Sequence, residues 1–211
     1  RLCRFYLTAL GFVLACGSAR QVAAAVLGEG DTDPDPTALL SVVDGGTLDS
    51  ITVGGTGNYN GGTDAGTLTI DAPTFTDPLI ISNDATIGGD PFSLGQIIIG
   101  GLNSEMDVDK ILYVGDEGQG FLEISTGARV IAGNADGISG DVDLVIGNGS
   151  DGGSQGFVTI DGFASSLVSD KADIGNFGFG RVDILNRGRM GTRETAQLGV
   201  DAVGGGYVLV Q

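Results

Sequence analysis

The chain has 211 residues, of which 39 are glycine, 27 are acidic, 10 are basic and none is histidine, and its net charge at pH 7 is −17. Without histidine, a Ser-His-Asp triad and a histidine-ligated zinc site are excluded, and the excess of acids excludes the basic footprint of a nucleic-acid-binding protein. With only five prolines and no three-residue glycine period, the chain is not a collagen helix either.

Residues 1–25 have the pattern of a secretory signal peptide. The segment has a positive start at Arg1 and Arg4, a mostly apolar run over residues 5–16 and an A-x-A cleavage site at 23–25. The run is shorter than the about 20 residues that a membrane-spanning helix needs. We therefore expect cleavage after Ala25, export, and no membrane insertion of the mature form.

An alternative interpretation of this segment is a bacterial lipoprotein signal. In that case Cys16 of Val13-Leu14-Ala15-Cys16 would become the lipidated first residue, although Leu14 and the apolar residues after Cys16 fit this pattern poorly. Both cysteines, at 3 and 16, lie in the segment, so cleavage after Ala25 would remove every cysteine ligand and nucleophile. It would also leave seven basic residues against 27 acids, a net charge of −20.

Because the chain starts with Arg rather than Met and stops close to a repeat, we expect a fragment at both ends.

Residues 26–50 are expected to be a lead-in and an N-terminal cap. The stretch DTDPDP (31–36) combines three acids with two prolines, which keeps it extended and unpaired. The apolar residues that follow, at 39–40 and 42–43, could cover the open end of a repetitive fold.

Six copies of a short phrase occupy residues 51–211: a glycine, a polar turn, and then Gly-x-φ-x-φ, where φ is aliphatic. Alternation with a period of two places the φ residues on one face of a strand and the x residues on the other. The second glycines are 29, 25, 36, 24 and 26 residues apart, which is a repeat of solenoid length. The six strands are GTLTI (66–70), GQIII (95–99), GFLEI (120–124), GFVTI (156–160), GRVDI (180–184) and GYVLV (206–210).

One copy cannot fold alone. Burial of its two aliphatic side chains contributes roughly 3 to 6 kcal/mol, whereas ordering its backbone costs on the order of 1 to 2 kcal/mol per residue. Stacking merges the aliphatic columns into one core. The sequence therefore predicts an all-β parallel solenoid of about six coils, right-handed as parallel crossovers usually are, and most regular over 111–211.

Two of these copies resemble a known repeat family. LYVGDEGQGFLEISTGARV (112–130) and the longer VIGNGSDGGSQGFVTIDGFASSL (145–167) are similar to the autotransporter-associated and PEP-CTERM-associated repeats of bacterial surface proteins. The departures are Gly127-Ala128 in place of a glycine pair and Ala164 in place of a glycine. The resemblance implies a secreted or surface-displayed β-helix.

Outward positions of the same strands supply one candidate contact surface. At the first x position the last four copies carry Phe121, Phe157, Arg181 and Tyr207, which stacking would align in one column. Such a column could bind sugar rings or another surface protein, or it could be a ladder that packs only on itself. The sequence alone leaves both interpretations open.

Acidic residues on the turns are the other candidates. The acid pairs are Asp107/Asp109, Asp116/Glu117, Asp141/Asp143 and Asp170/Asp173. Solvated turn residues are the simplest interpretation, with calcium binding as the alternative. A late basic cluster, Arg181, Arg187, Arg189 and Arg193, is expected to offset the neighbouring Asp183 and Glu194.

Together these features predict a non-enzymatic bacterial surface or extracellular-matrix protein that serves as stalk, adhesin or passenger-type module. No catalytic, cofactor or metal site is expected apart from calcium. Surface glycans and other surface proteins are the candidate partners. The alternative is a carbohydrate-active β-helix enzyme, a polysaccharide lyase or hydrolase, which would require a non-repetitive group of Asp with Lys or Arg on one outer face.

Overall fold

The computed structural model describes residues 46–54, 65–71, 78–133, 142–149, 153–200 and 204–211, together with the backbone of five strands nearer the N-terminus. These residues form strands and turns, with no helix among them. The backbone-only strands are β1 (Arg4–Thr8), β2 (Gly11–Ala15), β3 (Gln21–Val22), β4 (Ala25–Leu27) and β5 (Thr37–Val42). The strands that follow are β6 (Gly46–Leu48), β7 (Ile51–Val53), β8 (Ala65–Asp71), β9 (Leu79–Ile81), β10 (Ala85–Ile87), β11 (Leu94–Gly100), β12 (Glu105–Val108), β13 (Leu112–Val114), β14 (Gln119–Ser125), β15 (Arg129–Ala132), β16 (Leu144–Ile146), β17 (Gln155–Asp161), β18 (Ser166–Ile174), β19 (Phe179–Leu185), β20 (Arg189–Leu198) and β21 (Gly205–Val210).

The strands form two sheets, parallel except for the β1–β2 pair. The first sheet has the order β1-β2-β5-β8-β11-β14-β17-β19-β21. The second has two limbs, β3-β6-β9-β12-β15 and β4-β7-β10-β13-β16, which meet at β18, and β20 pairs with β18. Each turn runs through the first sheet, then one limb and then the other, as in β11, β12 and β13. The chain is therefore the parallel β-solenoid that the sequence predicts.

The register of the first sheet aligns the repeated phrase with itself. In five successive pairings the second glycine of one copy lies opposite that of the next. The six strands bound five complete turns, one fewer than the about six coils expected, and the right-handed sense stays a prediction. The repeats differ in length because the connections between their strands do. In the longest repeat, β15 ends at Ala132 and β16 begins only at Leu144.

One continuous core runs along the axis. In the first sheet the buried φ residues are Leu68, Ile70, Ile97, Ile99, Leu122, Ile124, Val158, Ile160 and Val182, each at most 2 % exposed. Inward residues of both limbs join them, for example Met106 and Leu112, which are fully buried. The predicted alternation is thereby confirmed for these copies, and only the last turn departs from it, because Ile184 and Val208 are partly buried and Val210 is 70 % exposed.

The N-terminal predictions meet the structure only in part. The backbone of β5 pairs in parallel with β8, so that residues 37–42 contribute a strand to the first sheet. The acidic stretch at 31–36 lies outside the described residues, as do the side chains of 1–46. The signal peptide at 1–25 and its cleavage site stay predictions.

Candidate functional site

The four residues of the predicted contact column are neighbours on the outer face of the first sheet. Phe121 pairs in register with Phe157, Phe157 with Arg181, and Arg181 with Tyr207. Because these strands run parallel with no shift, equal offsets from the second glycine place the side chains one above another. The structure therefore brings together all four residues that the sequence singled out.

Within this column the aromatic faces are turned toward neighbouring side chains. The rings of Phe121 and Phe157 are stacked, with centroids 5.0 Å apart and planes 10° apart. The guanidinium carbon of Arg181 lies 5.7 Å from the centroid of the Tyr207 ring, a cation–π contact. A sugar ring needs a free aromatic face to stack on, whereas Phe121 and Phe157 each cover one face of the other. The geometry favours coil-to-coil packing over sugar stacking at Phe121 and Phe157.

Arg181 is also held by a carboxylate on its own strand. Its Nε and one terminal nitrogen each donate to a different oxygen of Asp183, at 2.8 Å in both cases. The hydrogen bonds and the negative charge of Asp183 raise the pKa of Arg181. The guanidinium is thus already paired on one side and stacked on the other, which orients it within the column.

Phe179 extends the aromatic surface and was not among the predicted residues. Its ring centroid lies 6.0 Å from that of Phe157, with the planes tilted by 53°, and 41 % of the residue is exposed. Phe179 directly precedes the second glycine of its copy, and β19 begins there. Extending the period-two alternation two residues upstream would have identified it as an outward position.

Among the acid pairs, Asp116 is a member of a side-chain ladder. Its Oδ1 accepts a hydrogen bond from the Asn148 side-chain nitrogen at 2.7 Å, and Asn148 in turn accepts one from Asn176 at 2.8 Å. Each of the three residues follows the first glycine of its copy. This shared offset was a signal in the sequence, but the alternation of the strand residues does not reveal it.

In the two acid pairs farther along the chain, Asp143 and Asp173 are both buried. Asp143 is 2 % exposed, and its Oδ2 accepts hydrogen bonds from the backbone nitrogens of Asp170 and Lys171, both at 3.1 Å. These bonds fall where the register of β18 shifts between Ser169 and Lys171. Asp173 is 8 % exposed, and its burial raises its pKa. Asp141, the predicted partner of Asp143, lies outside the described residues.

The most perturbed carboxyl group is on the outer face of β12. Burial, together with the nearby Glu105, raises the pKa of Asp107 to about 6, while Arg129 opposes the shift. Asp107 Oδ1 is buried and has no hydrogen-bond partner in the described part of the chain, and Arg129 forms an ion pair with Glu105 at 3.5 Å. Asp109, the predicted partner of Asp107, also has its pKa raised by burial. This is a non-repetitive group of acids with one cation, contributed by β12 and β15 together.

The late basic cluster joins neighbouring turns. Arg193 pairs with Asp170 at 2.9 Å, and Lys171 pairs with Glu194 at 3.6 Å. The predicted compensation of the Asp183 charge by Arg181 is seen in their ion pair. Glu194, by contrast, is paired with Lys171 of the preceding turn and not with an arginine. Arg187 and Arg189 are exposed.

In the part of the chain that the structure describes, no group of three or more acidic or cysteine side chains is placed to hold a metal ion. Nor do those residues include a helix long and apolar enough to span a membrane. Comparison with protein-family models, with curated proteins and with solved structures gave no match to this chain.

Proposed function

We propose that this chain is an exported bacterial surface or extracellular-matrix protein whose β-solenoid acts as a stalk, adhesin or passenger-type module. The observation that carries the proposal is the unbroken register of the first sheet from β8 to β21. Five turns at about 4.8 Å each span roughly 24 Å along the axis. A repetitive rod of this kind is suited to hold a surface at a distance or to present it.

Ladder contacts support the same role. Phe121 packs on Phe157, and Asn148 bridges Asp116 and Asn176, so these neighbouring turns are tied together on the outside as well as through the core. In a solenoid each turn contacts only its neighbours, and such ties stiffen the rod. The signal-like segment at 1–25 supports export, and the resemblance to bacterial surface repeats supports a location on the surface of a bacterium.

The test begins with localisation. The chain would be expressed in a bacterium with and without residues 1–25, carrying a tag after Gln211. We expect the first form to be cleaved after Ala25 and to be degraded by protease added to intact cells, and the second to stay protected inside. Uncleaved protein that remains protected in both forms would contradict the proposal. Adhesion would then be measured by binding of the purified protein to arrayed glycans and to surface proteins.

A polysaccharide lyase or hydrolase is the second candidate, and the group at Glu105, Asp107 and Arg129 favours it. A carboxyl group with a pKa of about 6 can donate a proton near neutral pH. The test is product release from a panel of acidic and neutral polysaccharides. Activity that Asp107→Asn removes and the exposed-site change Glu117→Gln preserves would establish it; absence of product from every substrate would count against it.

A further inference from the structure

One peptide link in the middle of the solenoid carries a chemistry that the proposed role does not use. Asn148 and Gly149 follow β16 at a corner, and Asn148 is the only asparagine of the described residues that glycine follows. Asparagine is among the thermally labile residues of proteins. A following glycine has no Cβ, so its backbone nitrogen can approach the asparagine side chain freely. This link is therefore the one most prone to deamidation in the described part of the chain.

The fold requires both residues of this link. The Asn148 side chain donates to Asp116 Oδ1 at 2.7 Å and accepts from the Asn176 side-chain nitrogen at 2.8 Å, which ties three turns together. Gly149 is buried, and a Cβ added to it would lie 2.9 Å from the backbone oxygen of Asp116 and 2.8 Å from Ser154 Cβ. A larger residue after Asn148, which would slow deamidation, therefore does not fit.

The same contacts oppose the reaction in the folded chain. Deamidation requires the backbone nitrogen of Gly149 to lose its proton and attack Cγ of Asn148. In the structure that nitrogen donates to Ser154 Oγ at 2.6 Å, in a buried hydrogen bond. Turning the Asn148 side chain toward its own backbone would break both of its bonds to Asp116 and Asn176. Each of these losses leaves polar groups without partners and is costly.

Once the corner opens, the reaction needs only water. The nitrogen of Gly149 forms a bond to Cγ of Asn148, the bond from Cγ to Nδ2 breaks, and Nδ2 leaves as ammonia with the proton that the Gly149 nitrogen loses. Water then opens the cyclic imide at either of its carbonyl groups. The product at position 148 is aspartate or isoaspartate.

Either product would loosen the corner. Aspartate would place a second carboxylate beside Asp116 and would remove the amide that donates to it, and like charges at this separation repel. Isoaspartate would add a methylene group to the main chain. It would do so between two backbone hydrogen bonds that join the turns, from Asn148 to the Gly115 oxygen at 2.9 Å and from Asn176 to the Gly147 oxygen at 3.0 Å. The change would therefore be irreversible and would weaken the tie between turns.

We propose that Asn148 is a site of spontaneous modification, which Asp116, Asn176 and Ser154 keep unreacted in the folded solenoid and which converts to aspartate or isoaspartate when this corner opens. Native proteins open locally in this way without unfolding as a whole. The inference depends on the fold and not on the role proposed above.

The experiment incubates the full chain in mildly alkaline buffer, with and without urea, and follows conversion at residue 148 by peptide mapping and mass spectrometry. The map separates this site from the link at 60–61, the other Asn-Gly pair of the sequence, which lies outside the described residues. We expect conversion to be at least tenfold slower in the folded chain than in urea. Asp116→Ala and Ser154→Ala should each speed it several-fold without urea. Asp116→Asn, which keeps an acceptor for the Asn148 amide, should not.

Ser165→Ala is the matched control. It also removes a buried serine hydroxyl that accepts a hydrogen bond from a backbone nitrogen, that of Gly127 at 3.0 Å, but at a different corner. We expect it to leave the conversion rate at residue 148 unchanged. Circular dichroism before incubation would show which variants are folded. If Ser154→Ala does not fold, the comparison of Asp116→Ala with Asp116→Asn decides the test.

Three results would overturn the proposal. The first is conversion as fast in the folded chain as in urea. The second is equal conversion rates for Asp116→Ala and Asp116→Asn. The third is acceleration by Ser165→Ala as large as that by Ser154→Ala, because conversion would then follow overall unfolding and not the opening of this corner.

Discussion

Gly120 lies directly against the carbonyl oxygen of Ile87, so that a Cβ atom on Gly120 would be 2.6 Å from that oxygen. The two residues belong to neighbouring turns, and the contact is between backbone atoms that no side-chain rotation can relieve. We predict that Gly120→Ala destabilises the solenoid by about 1 to 3 kcal/mol through overpacking. Urea denaturation followed by circular dichroism would measure the change.

Gly191 provides the matched control. It lies within β20, is exposed, and an added Cβ there would have no described atom within 4 Å. Gly191→Ala should leave stability unchanged or raise it slightly, since alanine restricts the unfolded chain more than glycine does. Equal losses for Gly120→Ala and Gly191→Ala would show that the close approach at Ile87 does not explain the glycine.

Two buried serines should respond in opposite directions to alanine. Ser165 is fully buried. Its hydroxyl donates to the backbone carbonyl oxygen of Asp161 at 2.6 Å and accepts a hydrogen bond from the backbone nitrogen of Gly127 at 3.0 Å. Ser169 is 1 % exposed, and its hydroxyl has no partner among the described residues. Ser165→Ala should cost about 1 to 3 kcal/mol because it leaves a buried amide unsatisfied, whereas Ser169→Ala should be neutral or stabilising. Thermal melts of both variants would test this, and a loss at Ser169 equal to that at Ser165 would contradict it.

The fold could be predicted from the sequence because two local rules repeat six times. Period-two alternation identifies the strands, and the glycine at a fixed offset sets their register, so the pattern alone places Leu122 and Val158 above one another, as they are in the sheet. The column at Phe121, Phe157, Arg181 and Tyr207 follows from the same offset. The number of coils was predicted less accurately, because six copies of the strand enclose only five complete turns.

The sequence did not reveal the side-chain contacts between turns, because these contacts depend on how turns of uneven length stack. Asn148 and Asp116 are 32 residues apart, and their hydrogen bond requires the corners to stack as well as the strands. The raised pKa of Asp107 depends on burial and on the neighbouring Glu105, while Arg129 of the next turn lowers it. Asp143 lies in the long connection between β15 and β16, where the repeat offers no offset from which to infer its position.

The stacked phenylalanines should be energetically coupled if they form a ladder. We predict a coupling of about 0.5 to 1.5 kcal/mol between Phe121→Ala and Phe157→Ala in a double-mutant cycle, as expected for an aromatic pair. A cycle between Phe121→Ala and Tyr207→Ala, which are not adjacent in the column, is the control and should be additive. Additivity in both cycles would remove the argument for a structural ladder.

Asp107 should make the protein less stable as the pH rises. Its pKa is about 6 in the folded state against an ordinary value of 3.8, so the folded state keeps a proton that the unfolded state releases. The free energy of unfolding should therefore fall between about pH 4 and pH 6 and stay lower above pH 6. Asp107→Asn should remove this component and raise stability at pH 7 by about 1 kcal/mol, a gain limited by solvent screening of a partly exposed group. Denaturation at pH 4, 5, 6 and 7 would measure it, with Glu117→Gln as the exposed control; an unchanged pH profile in Asp107→Asn would contradict the assignment.

Calcium should have little effect on the described turns, because several of their carboxylates already have partners. Asp116 accepts from Asn148, and Asp143 accepts from two backbone nitrogens. A ligand stabilises only in proportion to its preference for the folded state. We therefore expect the thermal midpoint to agree within about 1 °C between millimolar calcium and chelator once ionic strength is matched. Magnesium at the same concentration controls for screening of the net charge of −17. A rise of several degrees with calcium alone would mean that acidic residues of this chain bind the ion, and would restore the calcium alternative.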